Sequence, residues 1–404
     1  MALMASMLLD PAVLQDPYDF YATLRQQAPV WTVPGTNIVT ISTFALLSEA
    51  LARPEDFSST MHCLLYRDRD GLPARLDFGG AAMPTLAAAD PPVHTAHRRA
   101  VFPELVARRM RTLEDDIRAL SATLVKQALD DGRFDFMASV GNIVPITVVA
   151  RLIGFRDVDP MQLLQAAFDS TKLVGGTMSM DELGALVVRT ETIEGWIADQ
   201  IAGTAEGGDE GILLAVRRAL DAGTLHIGEA TIILHTLLSA GGESTTSLLG
   251  NAVRMLAENP ELQRRMREKP EELDIFVEEA LRLESPFRQM MRSVPHDTEL
   301  GGVDIASGST ALLLFAAGNR DPEQFNHPDQ IDLTRDSPKR HLAFGHGIHF
   351  CVGATLARIE ARAVLGAILE QTRDFSLDPD HAPRWVDSLL VRRHAELHVC
   401  AAPR

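Results

Sequence analysis

One stretch restricts the fold more than any other. Between Ala230 and Val253 only His235 and Glu243 can carry a charge, so a helix there is apolar nearly all round and has to be buried. The pattern runs from Ile227 to Glu258, roughly 45 Å of helix at about 1.5 Å per residue, enough to cross a domain. A membrane span is excluded by Gly241-Gly242-Glu243-Ser244-Thr245-Thr246, which leaves too short an apolar run on either side. Two adjacent glycines inside a helix cost on the order of 1 kcal/mol each relative to alanine. The position therefore demands close backbone approach or an opened helix. A buried glutamate beside hydroxyls is a candidate for chemistry; the bland alternative is a groove for a crossing helix, with the glutamate hydrogen-bonded.

The chain has 404 residues, a length that by itself points to two or three domains. No Gly/Ser-rich or Pro-rich linker and no repeat supports a division, so residues 1–404 are expected to form a single domain. Hydrophobic residues at 46% and charged residues at 23% exclude wholesale disorder. A net charge of −17 argues against nucleic acid as the main partner. Three widely spaced cysteines, Cys63, Cys351 and Cys400, cannot build a disulfide framework and fit a reducing, cytoplasmic setting. The opening MALMASMLLDP is too short an apolar run, and lacks a basic lead, for a signal peptide or membrane anchor.

Helical patterns dominate elsewhere, with a break expected at Gly175-Gly176 and a further helix from Cys351 to about Glu370. Strand signals are short: APVWTV with NIVTIS, FRQMMRSV, TELGGVDI, STALLLF, and a C-terminal pair around SLLVRR and AELHVC. The expectation is a mainly α fold with small β-sheets.

The densest constellation is HLAFGHGIHFCVGATLARIEARAVLGAIL. Cys351 stands at the mouth of an amphipathic helix, where unpaired N–H groups and the dipole favour a thiolate. Gly345, Gly347 and Gly353 let backbone approach something closely. Three readings compete on these residues. A zinc site could use His346, His349 and Cys351, although the spacing is unlike a closed tetrahedral set. A thiol nucleophile would need a histidine from elsewhere. An axial thiolate on haem iron accounts for both the glycines and the helix end.

Phe344-x-x-Gly347-x-His349-x-Cys351-x-Gly353 resembles the haem-binding signature of the cytochromes P-450 with every fixed position filled. The resemblance extends from DPYDFYATLRQQAPVW to the final strands and is to the soluble bacterial branch. It implies the cytochrome P-450 fold, a triangular-prism-like domain around a buried haem b (iron protoporphyrin IX). It makes Cys351 the axial ligand of the haem iron, with Phe344 beside the sulfur, N–H groups after Cys351 bonded to it, and His349 at a propionate.

The same resemblance assigns Glu279-x-x-Arg282 as a structural ion pair, joined by Arg335 from HPDQIDLTR, where Ile331 stands in place of an aromatic. The spacing itself puts both charges of the pair on one helical face. DPPVHTAHRR resembles the family's propionate-binding segment, giving His94 and Arg98, and Arg292 matches a further arginine; buried propionates need such cations. Ala240-Gly241-Gly242-Glu243-Ser244-Thr245 resembles the distal motif. There the glycines, Gly241 included, would make room for O₂, while Glu243, Ser244 and Thr245 relay protons. Ser244 occupies a position where threonine is usual and lacks the methyl group that restricts a threonine rotamer, so some loss of reducing equivalents to peroxide is expected.

By position in the family, substrate contacts are expected from the loop His62 to Met83 and from Leu173, Val174, Met178, Phe287, Met290, Leu389 and Leu390. These describe an apolar cavity for a lipophilic small molecule, and Gly175-Gly176 could hinge a lid. No dinucleotide or flavin fingerprint follows any strand, so electrons are expected from a ferredoxin-type donor with a separate reductase. Arg108, Arg109, Arg111, Lys339, Arg340, Arg358 and Arg362 form the expected basic docking face. The function so implied is a monooxygenase acting with O₂; the alternative is a haem-thiolate protein that binds or senses a ligand without turnover.

Overall fold

The computed structural model describes residues 3–80, 82–105, 107–204 and 211–404, with the side chains of 104, 107–109 and 131 outside that description. The apolar rod is one continuous helix, Ile227–Ala257. It starts with a capping box in which the His226 ring accepts from the Glu229 N–H and the Glu229 side chain accepts from His226 N–H. The glycine pair does not break it. A Cβ on Gly241 would lie 2.9 Å from Val149 Cγ2, and one on Gly242 would lie 3.1 Å from Ile146 Cδ1 and 3.5 Å from Ala167 Cβ. Close packing of helices Ile143–Ile153 and Pro160–Leu173 against the rod is what these glycines permit.

Around the rod lies the main core, contributed by helices Glu114–Ala128, Ile143–Ile153, Leu273–Leu283 and Ala354–Gln371. Helix Pro160–Leu173 ends just before Gly175-Gly176. Gly176 takes φ +77, and Ser179 with Glu182 closes a second capping box that opens helix Met180–Ala202. The expected break is there, made by the glycine pair and the cap.

Strands form small, separate sheets. The largest runs Val30–Thr32, Ile38–Ile41, Thr310–Leu313, Met290–Ser293; its central pair is parallel, with Ile38 opposite Thr310, and the outer pairs are antiparallel. A second sheet joins Thr372–Leu377, His398–Pro403 and Arg133–Asp135. The stretch His62 to Met83, expected as a loop against substrate, contains a hairpin, Cys63–Arg67 with Pro73–Asp77. SLLVRR is not a strand but touches residue 287 through a single bridge at Val391. Among the described residues no helix is long and apolar enough to cross a membrane.

Candidate active site

The cysteine loop is shaped by its glycines. Gly345 and Gly347 have φ +67 and +70, which side-chain-bearing residues rarely adopt, and Cys351 N–H donates to the Phe344 carbonyl at 3.0 Å. The helix expected from Cys351 begins at Ala354, with Gly353 as its cap, leaving Cys351 just outside the first turn. Burial pushes the Cys351 thiol up, while N–H groups of Gly353 and Ala354 and the charges of Arg358 and Arg98 pull it back. Arg358 lies 4.5 Å over the Phe344 ring and is bound to Glu278, which it and His341 hold at about 2. Among the described residues no group of three or more His, Cys, Asp or Glu is placed to hold a metal ion, so His346, His349 and Cys351 do not form a zinc set.

Cys351 borders a cavity of about 1540 Å³, its open mouth included. His94, Arg98, Arg292, Phe344, His349, Gly353, Gly241, Ser244 and Thr245 all border it too. Gly347 lies in the loop beside it. The cationic edge is unevenly charged. Arg98 reaches back to the Ile348 and Phe350 carbonyls at 2.9 and 3.2 Å. Arg292 is buried, and among the described residues its hydrogen bond goes only to the neighbouring Met291 carbonyl. Burial drives its pKa down to about 10, only partly opposed by the charge of Asp90. His349 is pushed to about 3 by burial and by Arg292 and His94, whose ring centroid is 4.3 Å away. Haem fits these residues: a thiol beside N–H donors faces the cavity, and Arg292 is a buried cation that an anionic propionate would neutralise.

Glu279 and Arg282 form a fully buried bidentate pair, both bonds 2.8 Å, on helix Leu273–Leu283. Arg335 joins at 3.0 Å, 56 residues further along the chain. Arg282 also donates to the Asn319 carbonyl, so the triad ties this helix to the segment ahead of the cysteine loop.

The distal residues divide. Ser244 and Thr245 face the cavity, and Ser244 Oγ donates to the Ala240 carbonyl at 2.6 Å. Glu243 does not line it. Its carboxylate takes Thr171 Oγ1 at 2.5 Å and Arg393 Nε at 2.9 Å, because a carboxylate in the core requires such donors. Among the described residues the carboxyl that borders the cavity is Glu360, which is buried and whose Oε2 has no hydrogen-bond partner among them. Burial raises its pKa well above the ordinary carboxyl value, which favours the protonated form. Its one available signal in the sequence was an acidic residue on the apolar face of the cysteine helix.

The expected pocket residues divide as well. Phe287 and Met290 line the cavity. Leu173, Val174 and Met178 instead pack with Leu64, Leu183 and Leu186, and Arg67 N–H donates to the Met178 carbonyl at 2.9 Å. The hairpin supplies that apolar partner. Leu389 seats against Gly176 and Leu65, while Leu390 is buried and its carbonyl accepts from Arg288 N–H. Leu390 thereby ties to the Pro286–Met290 segment, while Leu389 is tied to Gly175-Gly176, its N–H donating to the Gly175 carbonyl at 2.9 Å. Leu86, Ala87, Leu237 and Leu248 line the cavity in their place.

The family model described as Cytochrome P450 matches residues 211–400. "Cytochrome P450 144" of Mycobacterium tuberculosis is 37% identical over 388 residues, covering 96% of this chain and 89% of that protein. "Cytochrome P450 107B1" of Saccharopolyspora erythraea is 32% identical, covering 96% of each. Among solved structures, cytochrome P450 CREJ in complex with (4-ethylphenyl) dihydrogen phosphate superposes with a TM-score of 0.88 at 27% identity, over 96% of this chain and 97% of that one. Relatedness of that extent, over a fold so closely shared, makes this chain a member of the cytochrome P450 family and hence a haem-thiolate monooxygenase.

Proposed function

We propose that the protein inserts one oxygen atom of O₂ into a lipophilic small molecule, drawing electrons from a ferredoxin-type donor served by a separate reductase in the cytoplasm. The observation that supports this reading is the polarity of the cavity. Leu86, Leu237, Ala240, Phe287 and Met290 are among its apolar lining, and Ser244 and Thr245 from the central helix and Glu360 from the cysteine helix are among its few polar lining groups. An apolar wall with a few convergent polar groups suits a lipophilic substrate held over a reacting centre.

Haem, which would be held by Cys351, by the guanidiniums of Arg98 and Arg292 and by the imidazoles of His94 and His349, would supply the redox chemistry that splits dioxygen when bound. Phe287 and Met290 exclude water from the substrate side. Ser244 Oγ, anchored on the Ala240 carbonyl, offers a hydroxyl that can pass a proton, and Glu360 holds one at its carboxyl. Glu243, whose pKa burial raises against the pull of Arg393 and Thr171, serves as a buried structural acid held between them. The Glu279–Arg282–Arg335 triad acts structurally.

On the cysteine side, Arg111, Lys339 and Arg340 are exposed, and Ile348 and Phe350 beside Cys351 are exposed apolar groups. Arg358 and Arg362 are paired with Glu278 and Asp274, and the side chains of Arg108 and Arg109 lie outside the described residues. Against a net charge of −17, these exposed cations support the proposed docking of an acidic ferredoxin.

The test is the absorption spectrum of the reduced protein with CO, followed by titration with a panel of lipophilic compounds. A thiolate-type Soret band, lost in Cys351→Ala, and displacement spectra with apolar compounds are expected. A band at the position of a neutral ligand would overturn the role of Cys351. Product formation with ferredoxin, reductase and NADH then separates turnover from ligand binding alone.

A further inference from the structure

Asp90 is the residue through which the propionate-facing groups come into register. Its carboxylate accepts from Ser58 Oγ, from Ser59 N–H at 3.0 Å and from Thr60 Oγ1 at 3.2 Å. Its carbonyl accepts from His94 N–H at 2.9 Å, in the first turn of helix Val93–Val101. One acid thus gathers residues 58–60 and the start of the helix that carries His94 and Arg98.

The same run is fastened on its other side to the strand bearing Arg292. Ser58 and Ser293 exchange two backbone hydrogen bonds, each 2.9 Å, and Ser293 Oγ donates to the Thr60 carbonyl at 2.7 Å. Between these anchors Ser59 is buried, and among the described residues its hydroxyl has one partner, His349 Nε2 at 2.9 Å. A ring nitrogen held this way fixes the orientation of the imidazole and leaves Nδ1 for another partner. The charge of Asp90 also acts on both Arg292 and His349. Its three donors hold it below the usual carboxylate range, so it is ionised at neutral pH.

We propose that Asp90 is a positioning residue for the anionic edge of the prosthetic group. Through the Ser58–Thr60 run it orients His349, and its fixed negative charge lowers the reduction potential of the centre by offsetting Arg292. The inference rests on the haem-thiolate reading above.

The experiment uses the haem-loaded protein and the variants Asp90→Asn, Asp90→Glu and Ser59→Ala. Haem transfer to excess apomyoglobin and the midpoint potential are measured, with the reduced-CO spectrum as control. Asp90→Asn should keep the thiolate band, shift the potential positive and release haem on the order of tenfold faster, as expected when a supporting partner is lost. Asp90→Glu should restore most of the potential. Ser59→Ala keeps the charge, so it should accelerate release with little change in potential, and adding it to Asp90→Asn should not accelerate release further.

An Asp90→Asn protein that only melts lower, with potential and release unchanged, overturns the inference. Should that variant not fold, Ser59→Ala decides, since unchanged release in it overturns the orienting role. Failure of the parent reading looks different, because the unmodified protein would then lack the thiolate band.

Discussion

Glu243 is bound to Arg393, Oε1 to Nε at 2.9 Å, across 150 residues of chain, and this pairing takes the acid of the distal helix away from the cavity that its neighbour Ser244 faces. Arg393 in turn lies 3.7 Å over the ring of Phe168. The charge pair therefore fastens the C-terminal segment, helix Pro160–Leu173 and the central helix to one another.

Removing Arg393 should leave the buried Glu243 carboxyl without its ionic partner, with Thr171 still donating to it. Arg393→Ala is expected to lose about 3 kcal/mol of stability, the range seen when one partner of a buried pair is deleted. The double variant Arg393→Ala with Glu243→Gln should recover much of it. Urea unfolding of the three proteins checks this; equal stability for both variants would refute the pairing.

Ser244 should govern how electrons are spent. Its hydroxyl is held by the Ala240 carbonyl at 2.6 Å but lacks the methyl group of a threonine. Ser244→Thr is expected to lower the peroxide formed per NADH, and Ser244→Ala to raise it several-fold. The two yields, measured with a bound substrate, should move in opposite directions.

Pocket and brace are separable. Phe287 lines the cavity, whereas Leu389 does not and packs against Gly176. Phe287→Ala should alter the affinity ranking of lipophilic ligands with little change in melting. Leu389→Ala should cost about 2–4 kcal/mol of stability and preserve the ranking. Displacement titrations paired with unfolding curves decide between them.

Stability should depend on pH in two opposite senses. Glu278, by His341 and Arg358, and Glu284, by Arg392, Arg254 and Arg320, are held at about 2, below the ordinary value of 4.5. Their contribution is present above pH 4.5 and lost as pH falls toward 2. Glu360 has the reverse sign: raised by burial, it favours the folded state at low pH, and that contribution fades as pH rises above 4.5. Glu360→Gln should therefore stabilise the protein at pH 8 relative to pH 5, compared with the unsubstituted chain. A pH-independent difference between the two proteins would remove the assignment of Glu360 as a buried neutral acid.

What sequence alone determined is mostly local. The rod at Ile227–Ala257 follows from apolar composition and a cap, the cysteine loop from glycines at positive φ, and the Glu279–Arg282 pair from i,i+3 spacing. Each depends on residues within about one or two turns, where backbone geometry restricts the outcome. Tertiary structure decided where the side chains point. Gly241 and Gly242 turned out to seat Val149 and Ile146 within an unbroken helix, the hairpin Cys63–Arg67 with Pro73–Asp77 drew Leu173, Val174 and Met178 from the cavity, and Arg393 drew Glu243. The physical reason is common to all of them. A buried charge or apolar side chain goes to whichever partner satisfies it at lowest cost, and that partner arrives from a distant segment that no local spacing reveals.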